Sequence, residues 1–217
     1  LRVIKDFILN SGYSFITKVL NTKDYGNIPQ NRERIFMVGF RDEDYHDEFT
    51  MNPSAICSQN FQFPDQIPLT KTIQDLFKKK KVDKCFYYND SYLYEKLKEG
   101  ITKRETVYQW RRIYIRGNKS NACPTLTANM GTGGHNVPLI KDDHGIRKLT
   151  PRECIRFQGF PDSYVLPEIA RTQLYKQIGN SVTTPLIKRI AEEIILSLNI
   201  KDEMKTTQKK SKTLKLV

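Results

Sequence analysis

Two arginines set two residues apart, at the mouth of an apolar run, are the residues of this chain best suited to chemistry. The stretch is Gln30-Asn31-Arg32-Glu33-Arg34, and Ile35-Phe36-Met37-Val38-Gly39-Phe40 follows directly. Side chains alternate along a strand, so a strand through this stretch would carry Arg32 and Arg34 on one face. Paired guanidiniums can hold an anion, a phosphate or the polar edge of a base. On these residues alone a charged rim on a sheet is the commoner arrangement, since exposed arginines are usually solvated.

Charge narrows the partners. The 217 residues include 36 basic and 24 acidic side chains, a formal net charge of +12. The stretch 201–217 contributes +4 through six lysines, Asp202 and Glu203, leaving +8 on the body. A field of that sign favours a polyanion, nucleic acid first and an acidic membrane surface second. No apolar stretch approaches the ~20 residues of a membrane span, so no membrane partner is expected. Cys57, Cys85, Cys123 and Cys154 show no C-x-x-C spacing; free thiols are expected and a zinc site is not. The first residue is Leu1 rather than Met, so a missing beginning enters the reading.

The elements that must position these residues read as follows. Leu1, Ile4, Phe7 and Ile8 share a helical face, and Gly12 is a natural stop. Tyr13 to Asn21 reads as a strand, Asp24 to Pro29 as a turn, and Glu33 to Arg41 as a strand covered on both faces. Asp42 to Pro68 reads as a linker. Thr70 is placed to cap a short helix, Lys71–Phe77, ahead of Lys78-Lys79-Lys80-Lys81. A lysine run is more often a solvated face than a DNA contact. Tyrosines and arginines crowd Lys84 to Arg116, and Thr106 to Arg116 has strand character; such tyrosines suit nucleic acid but more often pack a β-rich domain. The loop Gly131-Thr132-Gly133-Gly134 is either a hairpin turn or a close approach to a ligand. Val137 to Ile140 reads as a strand, and Asp142 to Gly145 as a turn. Thr150-Pro151-Arg152-Glu153 is a capping box ahead of a helix that stops near Gly159. Glu168 to Ile178 is a second helix, and Pro185 opens a third with Leu186, Ile190, Ile194 and Leu198 on its apolar face. Residues 201–217 are expected to be disordered.

Four blocks then form a recognisable order. They are Leu20–Gly26 with Pro29–Ile35; Pro124-Thr125-Leu126-Thr127 before the glycine loop; Arg147–Pro161; and Tyr175-Lys176-Gln177-Ile178-Gly179-Asn180-Ser181-Val182. Together they resemble the C-terminal half of bacterial DNA (cytosine-5) methyltransferases of restriction-modification systems. The resemblance implies an α/β fold: part of a Rossmann-like, S-adenosylmethionine-dependent catalytic domain and a mainly β target-recognition domain. It places the last strands of the catalytic sheet at 1–55, the recognition domain at 56–165, and returning helices at 166–200.

The same resemblance implies the activity: recognition of a duplex DNA site, eversion of cytosine, and methyl transfer to C5. Arg34 would contact cytosine O2, Arg32 would line the site, and Gln30 would orient their loop. Asn180, Ser181 and Val182 would hold the methionine end of S-adenosylmethionine; no metal is implied. Gln109 and Arg112 would read bases, Thr125, Thr127, Gly133 and Gly134 would lie along the DNA, and Arg111, Arg116 and Lys119 would meet phosphates. Arg152 and Glu153 would be structural.

The family's Pro-Cys-Gln nucleophile loop, Glu-Asn-Val acid segment and N-terminal glycine motif are absent from these residues. The nucleophilic cysteine is therefore expected on another segment, in the same gene or a partner subunit, and the chain alone is expected to be inactive. A split-enzyme subunit and a non-catalytic DNA-binding module remain alternatives. Exposed apolar faces would favour self-association. A cytoplasmic, nucleoid-associated location in a bacterium is expected.

Overall fold

Alternation along strand β7 explains how the larger part of the molecule is layered. In the computed structural model β7 spans His135–Asp142 and pairs antiparallel with β8, Gly145–Lys148. The model describes residues 1–41, 60–78, 80–111, 113–118, 121–132 and 135–214. Val137 and Leu139 on β7 and Ile146 on β8 enter one apolar cluster, with Leu97, Ile101 and Tyr108. Ile140 faces the other way, into a larger cluster with Ile28, Leu126, Leu149, Phe157 and Tyr175. A period of two thus builds two packed layers on one sheet.

That sheet has the order β5-β4-β7-β8. Strands β4 (Tyr108–Arg111) and β5 (Tyr114–Gly117) form an antiparallel hairpin, so the expected Thr106–Arg116 strand is two strands and a turn. Two shorter strands, β2 (Gln30–Asn31) and β6 (Cys123–Pro124), pair in parallel.

The chain divides into two compact units. One holds residues 21–33 and 66–187, and with them the four-stranded sheet; the other holds 1–20, 34–65 and 188–217. Residues 166–187 fall in the same unit as the four-stranded sheet.

Within the first unit, the Thr150 capping box forms as read. Thr150 Oγ1 accepts from Glu153 N at 3.2 Å, and Glu153 Oε2 accepts from Thr150 N at 2.8 Å, at the head of helix Pro151–Arg156. Glu153 also takes a bidentate pair from buried Arg147, both bonds 2.8 Å, and Arg147 Nε reaches Asp142 Oδ2 at 2.6 Å. Thr70 does not cap a helix. Its N–H goes to Asn27 Oδ1 at 2.8 Å, and the segment forms only a 3-10 turn, Gln74–Leu76. Asn27 tolerates the left-handed conformation (φ 49°) that aims its amide there. The expected Asp24–Pro29 turn begins instead as a helical turn, Thr22–Tyr25, capped by Asn21.

The last helices also shift. The second runs Arg171–Asn180 rather than ending at Gly179. The third runs Thr184–Leu214, so residues 201–214 are helical where disorder was expected. Nothing there stops a helix: the stretch has no Gly or Pro, and Lys, Glu, Gln and Met favour helix.

In the second unit, helix Arg2–Asn10 ends before Gly12 (φ 78°), and among the described residues β1 (Ile16–Asn21) pairs with β3 (Glu33–Val38) alone. The expectation that β3 is covered on both faces is not met, since Ile35 and Met37 are exposed. Val3, Phe7, Val19 and Leu196 are exposed as well. The linker expected over Asp42–Pro68 lies largely outside the described residues.

Two predictions follow from the packing of the first unit. A Cβ at Gly179 would lie 2.3 Å from the Thr127 carbonyl carbon and 2.4 Å from Ala128 N. Gly179→Ala should therefore cost about 1–3 kcal/mol, read as a lower Tm; an unchanged Tm would show that helix and loop separate freely. Burial raises the Glu153 carboxyl, but the Arg147 bonds and two backbone N–H groups outweigh it, and the net shift is downward from 4.5. A lowered folded pKa contributes stability above the unfolded value that is lost as pH falls through the folded one. Wild-type stability should decline below about pH 4.5. Glu153→Gln should flatten that decline and cost about 3–5 kcal/mol at neutral pH, measured by denaturant titration across pH.

Candidate functional site

A buried polar network lies at the start of the arginine stretch. Gln30 is fully buried and uses both ends of its amide. Its Nε2 donates to Phe157 O at 2.6 Å and to Gln158 Oε1 at 3.4 Å, and its Oε1 accepts from Leu126 N at 3.1 Å. Gln158 Nε2 in turn donates to Ile178 O at 3.0 Å, and Thr183 Oγ1 reaches Gln158 Oε1 at 3.3 Å. The Thr183 hydroxyl also meets that of Thr22 at 2.9 Å.

Arg32 is 5% exposed. Its guanidinium donates to three main-chain carbonyls: Leu126 O at 2.8 Å, Gly179 O at 3.1 Å and Ser181 O at 2.7 Å. Its own N–H goes to Asn21 Oδ1 at 3.1 Å. A planar fork can satisfy several carbonyls from one position, which a lysine ammonium cannot do in the same geometry. Gln30 and Arg32 thereby bind the 126 loop, the 157–158 turn and the 179–181 turn into one body.

Arg34 is placed differently. Arg32 falls in the break between β2 and β3, while Arg34 lies on β3 in the other unit and is exposed. Strand alternation therefore does not set the two arginines on one face. The expectation rested on an unbroken strand, and the buried bonds of Arg32 interrupt it.

The four-stranded sheet supplies a cleft of about 380 Å³. Gln109 and Arg111 alternate on β4, and Arg116 sits directly opposite Gln109 on β5. A register shift at Trp110/Arg111 bends the strand there, and Arg111 Nε donates to Gln109 Oε1 at 3.1 Å. Thr125 and Thr127 line the same cleft. Thr125 Oγ1 donates to Asn31 O at 2.6 Å, fixing β6 against β2, and Thr127 Oγ1 donates to Asn129 Oδ1 at 2.6 Å. Gln109, Thr125 and Thr127 are thus brought together. Arg112, Gly133, Gly134 and Lys119 lie outside the described residues, as does Cys57.

Sequence reasoning missed Asn31, Glu33, Asn118 and Asn136, which also line the cleft. Asn136 adopts φ 55°, and an Asn two residues after a glycine pair was the available signal. Gln158 and Thr183 were missed too; their partners lie far away in sequence, and nothing local marks them.

The Asn180-Ser181-Val182 segment follows directly from the helix end. Asn180 and Val182 are exposed; Ser181 Oγ donates to Ile178 O at 2.7 Å, and its carbonyl is held by Arg32. Arg152 donates to Tyr164 O at 2.7 Å and, with Glu153, serves the scaffold.

The described cysteines are not poised as nucleophiles. Cys123 and Cys154 are buried, and burial pushes both thiols well up. Cys85 is exposed beside Arg171, but partial burial and Asp83 raise it as well. An activated thiol is lowered instead. Among the described residues no group of three potential metal ligands occurs, and no helix is long and apolar enough to cross a membrane.

Residues 1–196 match the C-5 cytosine-specific DNA methylase family, and the chain belongs to that family. Among curated relatives it is 54% identical over 200 residues to the Type II methyltransferase M.Bsp6I of Bacillus sp. (strain RFL6), covering 91% of this chain and 60% of that protein. It is 35% identical over 215 residues to the Type II methyltransferase M.HhaI of Haemophilus parahaemolyticus, covering 93% and 59%. The chain thus spans about 60% of the length of these relatives. The solved structure of S. pombe Dnmt2 methyltransferase shares the fold, with a TM-score of 0.61 at 17% identity, covering 91% of this chain and 62% of that one. The Entamoeba histolytica methyltransferase EhMeth gives the same TM-score at 14% identity, covering 91% and 58%.

The network makes a direct prediction. Arg32→Lys should lower Tm, because one ammonium cannot replace the fork across three carbonyls, whereas Arg34→Lys should leave Tm within error. Equal effects on Tm would show that the carbonyl clamp contributes nothing particular to stability.

Proposed function

We propose that this chain is the target-recognising part of a DNA (cytosine-5) methyltransferase. It acts on duplex DNA with S-adenosylmethionine as methyl donor. The observation that supports this most is the cleft in which Gln109, Arg111, Arg116, Thr125 and Thr127 meet. Amides and guanidiniums there present the directional donors and acceptors that read base edges. Hydroxyls beside them suit the DNA backbone. Arg112 joins Gln109 as a base reader in this proposal, and Gly133 and Gly134 let the loop approach the groove.

Arg34 serves as the cation over cytosine O2. Attack by a thiolate at C6 sends electron density toward O2 and N3, and a fixed guanidinium stabilises the charge that develops. Arg32 and Gln30 act through the scaffold, holding the segments on which Thr125 and Asn180 stand. The exposed amide of Asn180 and the backbone around Ser181 and Val182 fit the polar methionine end of S-adenosylmethionine. That molecule supplies the methyl group when bound; the Ser181 hydroxyl is already engaged with Ile178.

The thiolate comes from a further polypeptide segment carrying Pro-Cys-Gln. Two observations support this part of the reading. The described cysteines have raised pKa values. Val3, Phe7, Val19, Ile35 and Met37 leave apolar surface exposed around a two-stranded sheet. Further strands of a catalytic sheet would cover such surface; a second copy of the chain is the other candidate.

The test is transfer of labelled methyl groups from S-adenosylmethionine to duplex DNA. The chain alone should be inactive. Adding a polypeptide that carries the Pro-Cys-Gln and Glu-Asn-Val segments should restore transfer, and Arg34→Ala should abolish it. Robust transfer by the chain alone would overturn its dependence on a further segment. DNA binding without transfer in the completed mixture would instead identify a binding module.

A further inference from the structure

The lysine run Lys78–Lys81 is not accounted for by the recognition cleft. The structure puts its described members to a shared use. Lys71, Lys78, Lys80, Lys81 and Arg156 line a second, larger cleft of about 980 Å³, floored by Leu76, Phe77, Phe160 and Pro161. Its lining shares no residue with that of the recognition cleft. Lys81 also lines an adjoining hollow with Lys84, Tyr87, Asn89, Asp90 and His144.

The two acids that line this cleft, Asp75 and Asp162, are outnumbered by its five cations, Lys71, Lys78, Lys80, Lys81 and Arg156. Asp162 is taken by Arg156, whose Nε and Nη2 reach its two oxygens at 2.7 and 2.8 Å. Asp75 accepts from Thr72 N at 2.8 Å and from Thr72 Oγ1 at 2.9 Å. Asp90 pairs with Lys84 at 2.8 Å. Among the described residues Lys71, Lys78, Lys80 and Lys81 close no ion pair, and all four are exposed. A fixed aromatic and proline floor with four such ammoniums along it is a concave positive surface, not a scattered charged face.

We infer that this lysine-lined cleft is a second nucleic-acid contact, a track for the sugar–phosphate backbone of DNA that adds affinity without reading sequence. Lysine ammoniums are compact, mobile point charges suited to phosphate oxygens but not to bidentate base recognition. The spread of four lysines along one cleft favours a polymer over a single phosphate. The partly buried rings of Phe77 and Phe160 give apolar contact to the sugars. The inference rests on the DNA reading for the identity of the ligand, and its test separates the two.

The experiment uses the full 217-residue chain and measures duplex DNA binding by fluorescence anisotropy across a salt series. The variant is Lys71→Gln, Lys78→Gln, Lys80→Gln and Lys81→Gln together. Its control loses the same charge elsewhere, at Lys18, Lys96, Lys98 and Lys188. Each phosphate contact contributes about 0.9 to the slope of log K against log salt. The cleft variant should lose about 3.6 from that slope on every duplex tested, with circular dichroism and Tm unchanged. The control should keep its slope. Gln109→Ala should keep the slope and alter only preference among sequences, so a failed base-reading proposal would leave this result standing. Equal slopes for cleft variant and control would overturn the inference. So would a lysine-dependent loss of binding seen only with vesicles of phosphatidylcholine and phosphatidylserine and not with DNA, which would make the cleft a membrane contact.

Discussion

A guanidinium can be taken out of water only where its donors find acceptors, and at Arg32 those acceptors are the main-chain carbonyls of residues 126, 179 and 181. A buried donor left unmade costs several times what a made bond returns. The three carbonyls therefore have to stay where they are, and so do the segments that carry them. Gln30 repeats the constraint with a neutral group, spending its amide on residues 126, 157 and 158. No apolar contact would set these positions so narrowly, because dispersion is non-directional and tolerates sliding.

Much of the local geometry follows from that fixed frame. Once the 126–128 loop and the end of helix Arg171–Asn180 are drawn together, the space between them holds no side chain at position 179. The same closeness leaves no room at Gly131, where a Cβ would fall 2.4 Å from the Tyr175 ring. The glycine of the expected recognition loop thus has a packing reason to be glycine, whatever its loop does with a ligand. Thr125 follows the same logic. Its hydroxyl is turned to Asn31 O, so the cleft floor is held by the stretch that begins the arginine motif.

Features written over a few neighbouring residues were legible in the sequence. The Thr150–Glu153 capping box needs only its own four residues, and it formed with both reciprocal bonds. The Asp142–Gly145 hairpin and the glycine after the first helix were legible for the same reason. Features that depend on distant partners were not. Alternation put Arg32 and Arg34 together, but Arg32 gives up strand geometry to reach carbonyls at 126 and 181. Thr70 looked like a cap, yet Asn27 claims its N–H from 43 residues away. Gln158 reads as an ordinary residue after a helix, and only the fold shows it between Gln30, Ile178 and Thr183. The helix over residues 201–214 was not expected because charge was read as disorder, whereas lysine is a good helix former.

The chemistry of the two clefts argues for a division of labour. The smaller is lined by amides and guanidiniums, with Asn31, Gln109, Asn118 and Asn136 beside Arg111 and Arg116, and Glu33 among them. Groups with fixed donor and acceptor directions are expensive to mismatch, so such a lining discriminates. The larger is lined by lysines over aromatic and proline side chains. Point charges on flexible stems lose little when a partner shifts register, so such a lining attracts without choosing. In the proposed function, searching long DNA for a short site would use both: a non-specific hold weak enough to slide, and a specific one stiff enough to stop. Gln30 and Arg32 are buried and hold fixed carbonyls, whereas the lysines of the second cleft are exposed and carry no such constraint.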